Sequence, residues 1–172
     1  MNHHFEDVLS ANQQYAASHH PDGLPGQAAR GLAIVTCMDS RIEPLAMLGL
    51  ARGDAKILRN AGARVTDDVL RTLVLAVHLL GVDRVMIVAH TDCRMTKVTE
   101  EQVHAVIHAR SELDTRSLEF GVIADQRTAL VRDVQRIQSS PYLPADLAVL
   151  GAVYNLDSGR LDVVVAETGV TE

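Results

Sequence analysis

The chain has 172 residues and a formal net charge of −6 at pH 7, from 16 basic and 22 acidic side chains. Its length is that of a single domain with a sizeable core. Aromatic residues make up only 3% of the chain, tryptophan is absent and no basic run occurs. We therefore expect no nucleic-acid partner, because neither a phosphate-neutralising surface nor a base-stacking platform is evident.

No segment of the sequence has the pattern of a signal peptide or a membrane span. The first residues lack a basic stretch followed by an apolar one, and no later run approaches about 18 uninterrupted apolar residues. We therefore expect no membrane partner and a soluble protein of the cytoplasm. In that compartment the two cysteines are expected to serve metal or redox chemistry rather than a structural disulfide.

The first 26 residues predict an N-terminal arm. An imperfect apolar stripe indicates a helix from Asn2 to about Ser18, and a Pro/Gly-rich stretch over residues 21–26 ends it. We expect residues 27–172 to form one α/β domain that carries the functional site.

Short apolar runs in this domain predict its strands. Three of them are typical of buried strands: 31–36, 55–59 and 84–89. Two more, 147–154 and 160–166, flank a turn and predict a terminal hairpin. Because helical segments separate the first strands, we expect a mainly parallel central sheet flanked by helices, with the last strand antiparallel at one edge.

Four helical segments are predicted between these strands. They are residues 41–50 with Pro44 in the first turn, residues 67–80 with Thr66 as N-cap, residues 99–110 with a capping box, and residues 125–138. The last helix is expected to turn four apolar side chains inward: Leu130, Val131, Val134 and Ile137.

Both cysteines lie in polar clusters directly after predicted strands. The first cluster is Cys37-Met38-Asp39-Ser40-Arg41 and the second is His90-Thr91-Asp92-Cys93. Ligands of open α/β sheets bind beyond the carboxyl ends of strands, which favours a functional site here. Two thiolates and one imidazole suit Zn²⁺, and three protein ligands leave one tetrahedral position open. The alternative is that all three are buried structural residues, the usual fate of such residues taken singly.

Together, the motifs resemble those of the β-class carbonic anhydrases. The CxDxR of the first cluster, then Arg59-Asn60-Ala61-Gly62, then the HxxC of the second cluster follow the order and approximate spacing of that family. The segment 153–161 is also similar, so the resemblance covers residues 30–165. In its short length the chain resembles the small prokaryotic branch of that family more than the plant-like branch.

This resemblance implies zinc-dependent, reversible hydration of CO₂ to bicarbonate by a zinc-bound hydroxide. The implied metal ligands are Cys37, His90 and Cys93. The fourth ligand is water or hydroxide, or Asp39 in a closed form. A homodimer or a dimer-based oligomer is implied as well, and packing of the N-terminal arm on a neighbouring copy would cover its apolar stripe.

Asp39 and Arg41 would form a catalytic dyad that controls the metal. Arg41 can hold the carboxylate away from the metal, because a guanidinium pairs bidentately with a carboxylate and keeps its proton. We also expect the backbone N–H groups near Ala61 and Gly62 to bind substrate oxygens, since glycine permits a close approach. The alternative is that Gly62 is an ordinary turn glycine.

Other functions remain open at this point. A hydrolase of CS₂ or COS would need the same zinc chemistry, and a non-catalytic zinc-binding module would result if Asp39 closed the metal permanently. Arg94 departs from the family pattern, in which a glycine usually follows the second cysteine, and could narrow the entrance. A thiol-phosphatase loop is disfavoured because its arginine would fall at Glu43, and the chain has no C-x-x-C motif for redox chemistry.

Overall fold

The structure, a computed structural model, describes residues 4–168, and a five-stranded sheet runs through the middle of that part. Its strands are β1 (Leu32–Cys37), β2 (Ala55–Asn60), β3 (Arg84–His90), β4 (Ala148–Tyr154) and β5 (Leu161–Thr168). The spatial order is β2-β1-β3-β4-β5. The first four strands are parallel, and β5 pairs antiparallel with β4. The predicted α/β class with an antiparallel edge strand is confirmed.

The same part of the chain contains four α-helices. They are α1 (Glu6–Ser18), α2 (Asp67–Leu79), α3 (Glu100–Ser111) and α4 (Gln126–Gln138). Both predicted caps are present: the Thr66 side chain accepts from Val69 N, and Thr99 forms a capping box with Gln102. The Asp125 side chain also caps α4, which was not predicted.

Side chains alternate along the strands between the two faces of the sheet. Those that face α2 and α4 belong to the main core: Ala33, Val35, Val85, Ile87 and Val149. The opposite face carries Leu32, Ile34 and Val88, against which Met47 and Leu48 pack. The central strands are thus covered on both sides, as parallel strands require.

Two predicted details are wrong. Residues 41–50 form no α-helix, and only Ala46–Leu48 make a short 3₁₀ turn. Gly49 ends this turn with a φ of +65°, and the segment instead lays Met47 and Leu48 on the sheet.

The second wrong detail concerns the inward face of α4. Val131 is 37% exposed, whereas Asp133 is buried. Asp133 can occupy this place because Arg64 Nε donates to its carboxylate at 2.7 Å, so the buried charge is paired. An apolar periodicity cannot reveal such a pair.

The N-terminal arm lies outside the core. Helix α1 begins at Glu6, and the predicted start at Asn2 falls outside the described residues. Every described residue before Ala28 is exposed, including the apolar side chains of Phe5 and Leu9. The division of the chain at residue 26 stays a prediction. None of the helices in residues 4–168 is long and apolar enough to cross a membrane.

Gly151 provides a test of the packing between β4 and α4. A Cβ atom there would lie 3.0 Å from Leu130 Cγ and 3.2 Å from Val134 Cγ2. We expect Gly151→Val to lower the free energy of unfolding by about 1–3 kcal/mol, because the overpacked side chain must displace its neighbours. Denaturant unfolding measures this. Gly26→Val is the control, since nothing lies within 4 Å of its Cβ position, and equal losses in both variants would contradict the packing.

Candidate metal centre

The parallel pairing of β1 and β3 brings the two polar clusters together. Cys37 is the last residue of β1, His90 is the last residue of β3, and Cys93 follows in the next loop. One ligand atom from each of these residues lies within 4.8 Å of the other two, and all three side chains are buried. The sequence-based expectation that the two strand ends form one cluster is confirmed.

The His90 ring is oriented by the backbone of Thr91. His90 Nδ1 lies 2.8 Å from the Thr91 carbonyl oxygen, which can only accept, so Nδ1 carries the proton. Thr91 is itself fixed, because its N–H donates to Tyr154 O at 2.9 Å and its hydroxyl accepts from Leu156 N at 3.1 Å. These bonds leave the Nε2 lone pair of His90 facing the sulfur atoms of Cys37 and Cys93.

His90 Nε2 is buried and has no hydrogen-bond partner among residues 4–168. A buried nitrogen without a partner is unfavourable unless something else binds it. A metal ion is the natural occupant, since the other two members of the cluster are cysteine sulfurs. The donor set of one imidazole and two thiols therefore fits a metal such as zinc.

The two cysteines are free thiols in an apolar setting. Burial raises the pKa of the Cys93 thiol to about 11, and the adjacent Cys37 sulfur acts in the same direction. Two neighbouring thiolates therefore need a cation, which a bound metal supplies. The ligand pair is thus matched to metal binding rather than to reactive-thiol chemistry.

Gly62 contacts the Cys37 sulfur. Its N–H points to Cys37 Sγ at 3.4 Å, and its φ is +84°. This φ favours glycine, because a Cβ atom is strained in that conformation and would also lie 2.9 Å from Ile123 Cδ1. The binding of substrate oxygens by the backbone N–H groups near Ala61 and Gly62 stays a prediction.

Asp39 and Arg41 form the expected pair beside the cluster. Arg41 Nε donates to Asp39 Oδ1 at 2.9 Å and Nη2 donates to Oδ2 at 2.7 Å. These hydrogen bonds hold the pKa of Asp39 well below its usual range. Asp39 Oδ2 also lies 3.9 Å from His90 Nε2. A charged carboxylate, held by Arg41, therefore lies beside the side chains of the candidate metal centre.

The side chains of Arg59 and Asn60 hold the backbone of the loops at the site. Arg59 donates from Nε to Cys37 O at 2.9 Å and from Nη2 to Asp39 O at 2.6 Å. The Asn60 side chain exchanges hydrogen bonds with the backbone of Arg64, at 2.7 and 2.9 Å. The first cluster is therefore held on its backbone as well as through its side chains.

One residue of the site was missed by the sequence reasoning. Asp92 accepts from Arg41 Nη1 at 2.8 Å, and Lys97 donates to its other carboxylate oxygen. These bonds lower the pKa of Asp92 to about 2, with the Lys97 contact as the larger cause. The signal available in the sequence was its position between His90 and Cys93.

Comparison with known proteins decides the family. The carbonic anhydrase family model matches residues 32–161. β-Carbonic anhydrase 1 of Mycobacterium tuberculosis is 34% identical over 162 residues, which are 92% of this chain and 96% of that protein. The chain belongs to the β-carbonic anhydrase family.

Two other relatives of this chain are named for different substrates. The crystal structure of the carbonic anhydrase from Streptococcus mutans superposes with a TM-score of 0.87 at 38% identity, over 95% of this chain and 98% of that one. A carbon disulfide hydrolase of an Acidianus strain is 31% identical over 81% of this chain and 78% of that protein. The same fold thus occurs in relatives named for different substrates.

The metal-ligand assignment is tested by Cys93→Ser. We expect this variant to lose its divalent metal, because a neutral hydroxyl is a poor replacement for a thiolate. Elemental analysis of protein purified without added metal measures the content per chain. His90→Asn should lose metal as well, whereas the exposed His78→Asn serves as the control and should keep it. Full metal occupancy in Cys93→Ser would contradict the assignment.

Proposed function

We propose that the protein catalyses the reversible hydration of CO₂ to bicarbonate with a zinc ion held by Cys37, His90 and Cys93. The observation that carries this proposal is the buried His90 Nε2, which lacks a partner in the described chain and faces two cysteine sulfurs. Membership of the β-carbonic anhydrase family supports the reaction. The donor set supports zinc, since two thiolates and an imidazole leave one tetrahedral position open.

When bound, zinc supplies a Lewis acid that makes a water molecule nucleophilic near neutral pH. Asp39 borders the cluster as a charged carboxylate, because its pairing with Arg41 holds its pKa well below its usual range. Such a weak base accepts a hydrogen bond from the attacking water rather than storing a proton. Asp39 Oδ2 is the atom for this, at 3.9 Å from His90 Nε2.

Arg41 keeps Asp39 available for that role. A carboxylate this close to the ligands would otherwise become the fourth ligand itself and block substrate. The bidentate contact opposes this movement, because two charge-assisted hydrogen bonds must break before Asp39 can turn. We propose Asp39 and Arg41 as the catalytic dyad on this ground.

Hydrolysis of CS₂ or COS is the second candidate function. The carbon disulfide hydrolase relative of Acidianus favours it at 31% identity. The chain spans 78% of that protein, however, against 96% of the mycobacterial β-carbonic anhydrase 1. The larger shared length favours CO₂ as the substrate. Assays of the same preparation with CO₂, CS₂ and COS distinguish the two candidate functions.

A non-catalytic zinc module has less support. Arg94 is exposed, and its side chain has no hydrogen bond or ion pair within residues 4–168, as expected of a solvated side chain. Asp39 is paired with Arg41 rather than turned fully to the ligands.

We also propose that the protein is located in the cytoplasm. Its two cysteines form no disulfide, as is usual for proteins of that compartment.

The dyad is tested by Arg41→Ala. We expect zinc content to be retained and kcat/KM for CO₂ hydration to fall at least about tenfold across the neutral pH range, because Asp39 loses its partner. Arg116→Ala is the control, since Arg116 pairs with Asp114 with the same two-residue spacing and two hydrogen bonds of 2.9 and 2.6 Å. Normal activity in Arg41→Ala would exclude a role for the dyad in the reaction.

We also propose a homodimer or a dimer-based oligomer. Helix α1 has no buried residue, and it exposes the apolar side chains of Val8 and Leu9 beside Phe5. An arm of this kind is stabilised by packing on a second copy. Light scattering at micromolar concentration should therefore give a mass of two chains or a multiple, and a monomer mass would contradict this.

A further inference from the structure

Arg41 contacts two carboxylates through different parts of its guanidinium group. Asp39 accepts from Nε and Nη2, whereas the carboxylate of Asp92 accepts from Nη1 at 2.8 Å. The Asp92 carbonyl oxygen adds a longer contact with Nη2 at 3.4 Å. Because the two carboxylates use different donors, Asp92 fixes the plane of the guanidinium without displacing Asp39.

The Arg41 side chain needs such an anchor. It is 50% exposed, so solvent competes for its donors, and a long side chain loses rotamer freedom when it is held. Asp92 restricts that freedom independently of Asp39. Less freedom is then lost when Arg41 pairs with Asp39, and the dyad forms more readily.

Asp92 is itself held in place. It has a φ of +58°, a left-handed conformation that Asp and Asn tolerate better than most residues. Lys97 donates to the carboxylate oxygen that Arg41 Nη1 does not use. Asp92 also lies in the short loop between His90 and Cys93. The contact with Arg41 thus joins the loops that follow β1 and β3.

We propose that Asp92 is a positioning residue for the reaction: it holds Arg41 in the orientation that pairs with Asp39, and Lys97 is its counterion. Isolated surface ion pairs contribute little, but a linked set of four charges that includes a bidentate contact does not belong to that class. The inference rests on the proposed function, because it assigns a role to Asp92 in that same site.

The experiment compares Asp92→Asn with wild type and with Asp114→Asn. Asparagine has the shape of aspartate and tolerates the same left-handed backbone, so Asp92→Asn removes the charge and one acceptor oxygen with little change in shape. Asp114→Asn removes a matching exposed carboxylate from the Asp114–Arg116 pair. Three quantities are measured on the zinc-loaded proteins: metal content, hydrogen exchange of the Arg41 Nε–H by NMR, and kcat and KM for CO₂. The Nε–H signal is assigned by its absence from Arg41→Lys.

We expect Asp92→Asn to keep its zinc, to exchange the Arg41 Nε–H about 3- to 10-fold faster and to lose kcat by a similar factor with little change in KM. Asp114→Asn should match wild type in all three. An unchanged exchange rate in Asp92→Asn would overturn the proposal, and so would faster exchange with unchanged kcat. Loss of zinc would also overturn it, because Asp92 would then support the ligand loop instead.

Failure of the proposed function gives a different result. A wild-type protein that does not hydrate CO₂ contradicts that function, and the exchange rates of the variants then decide alone whether Asp92 holds Arg41.

Discussion

The parallel pairing of β1 with β3 is the constraint on which the site depends. The two strands run side by side from Leu32 and Arg84, so they reach the same edge of the sheet within one residue of each other. A thiol on the end of one strand and an imidazole on the end of the other are then neighbours without any special loop. The strands are buried on both faces, and side chains on such packed elements are held in place more firmly than side chains on exposed loops.

Around this edge, the backbone does more of the positioning than side chains do. The Thr91 carbonyl sets the His90 tautomer, the Gly62 N–H faces the Cys37 sulfur, and Arg59 binds two carbonyl oxygens of the first loop. Such partners orient metal ligands and tune their basicity. The same requirement explains why glycine and residues with a positive φ occur here, since the backbone must turn its polar groups toward these side chains.

The fold and the grouping of Cys37, His90 and Cys93 could be predicted because both follow from local patterns. Apolar runs and helix caps set the order of strands and helices, and ligands at strand ends follow from the topology. The error at Asp133 and the missed role of Asp92 have a different origin. The buried Asp133 is stabilised by Arg64, which lies 69 residues away, and Asp92 meets Arg41 across 51 residues. Charge pairs formed between distant segments leave no periodic trace in the chain.

The charges around the site have a consistent arrangement. Arg41 lies between Asp39 and Asp92, and Lys97 lies beyond Asp92, so positive and negative groups alternate away from the ligands. Each carboxylate is thus kept ionised by a neighbouring cation, which the lowered pKa values of Asp39 and Asp92 reflect. The carboxylate of Asp39, which lies 3.9 Å from His90 Nε2, is thereby held by the protein. An exposed arginine with one partner would be a weak restraint, whereas an arginine shared by two fixed loops is a strong one.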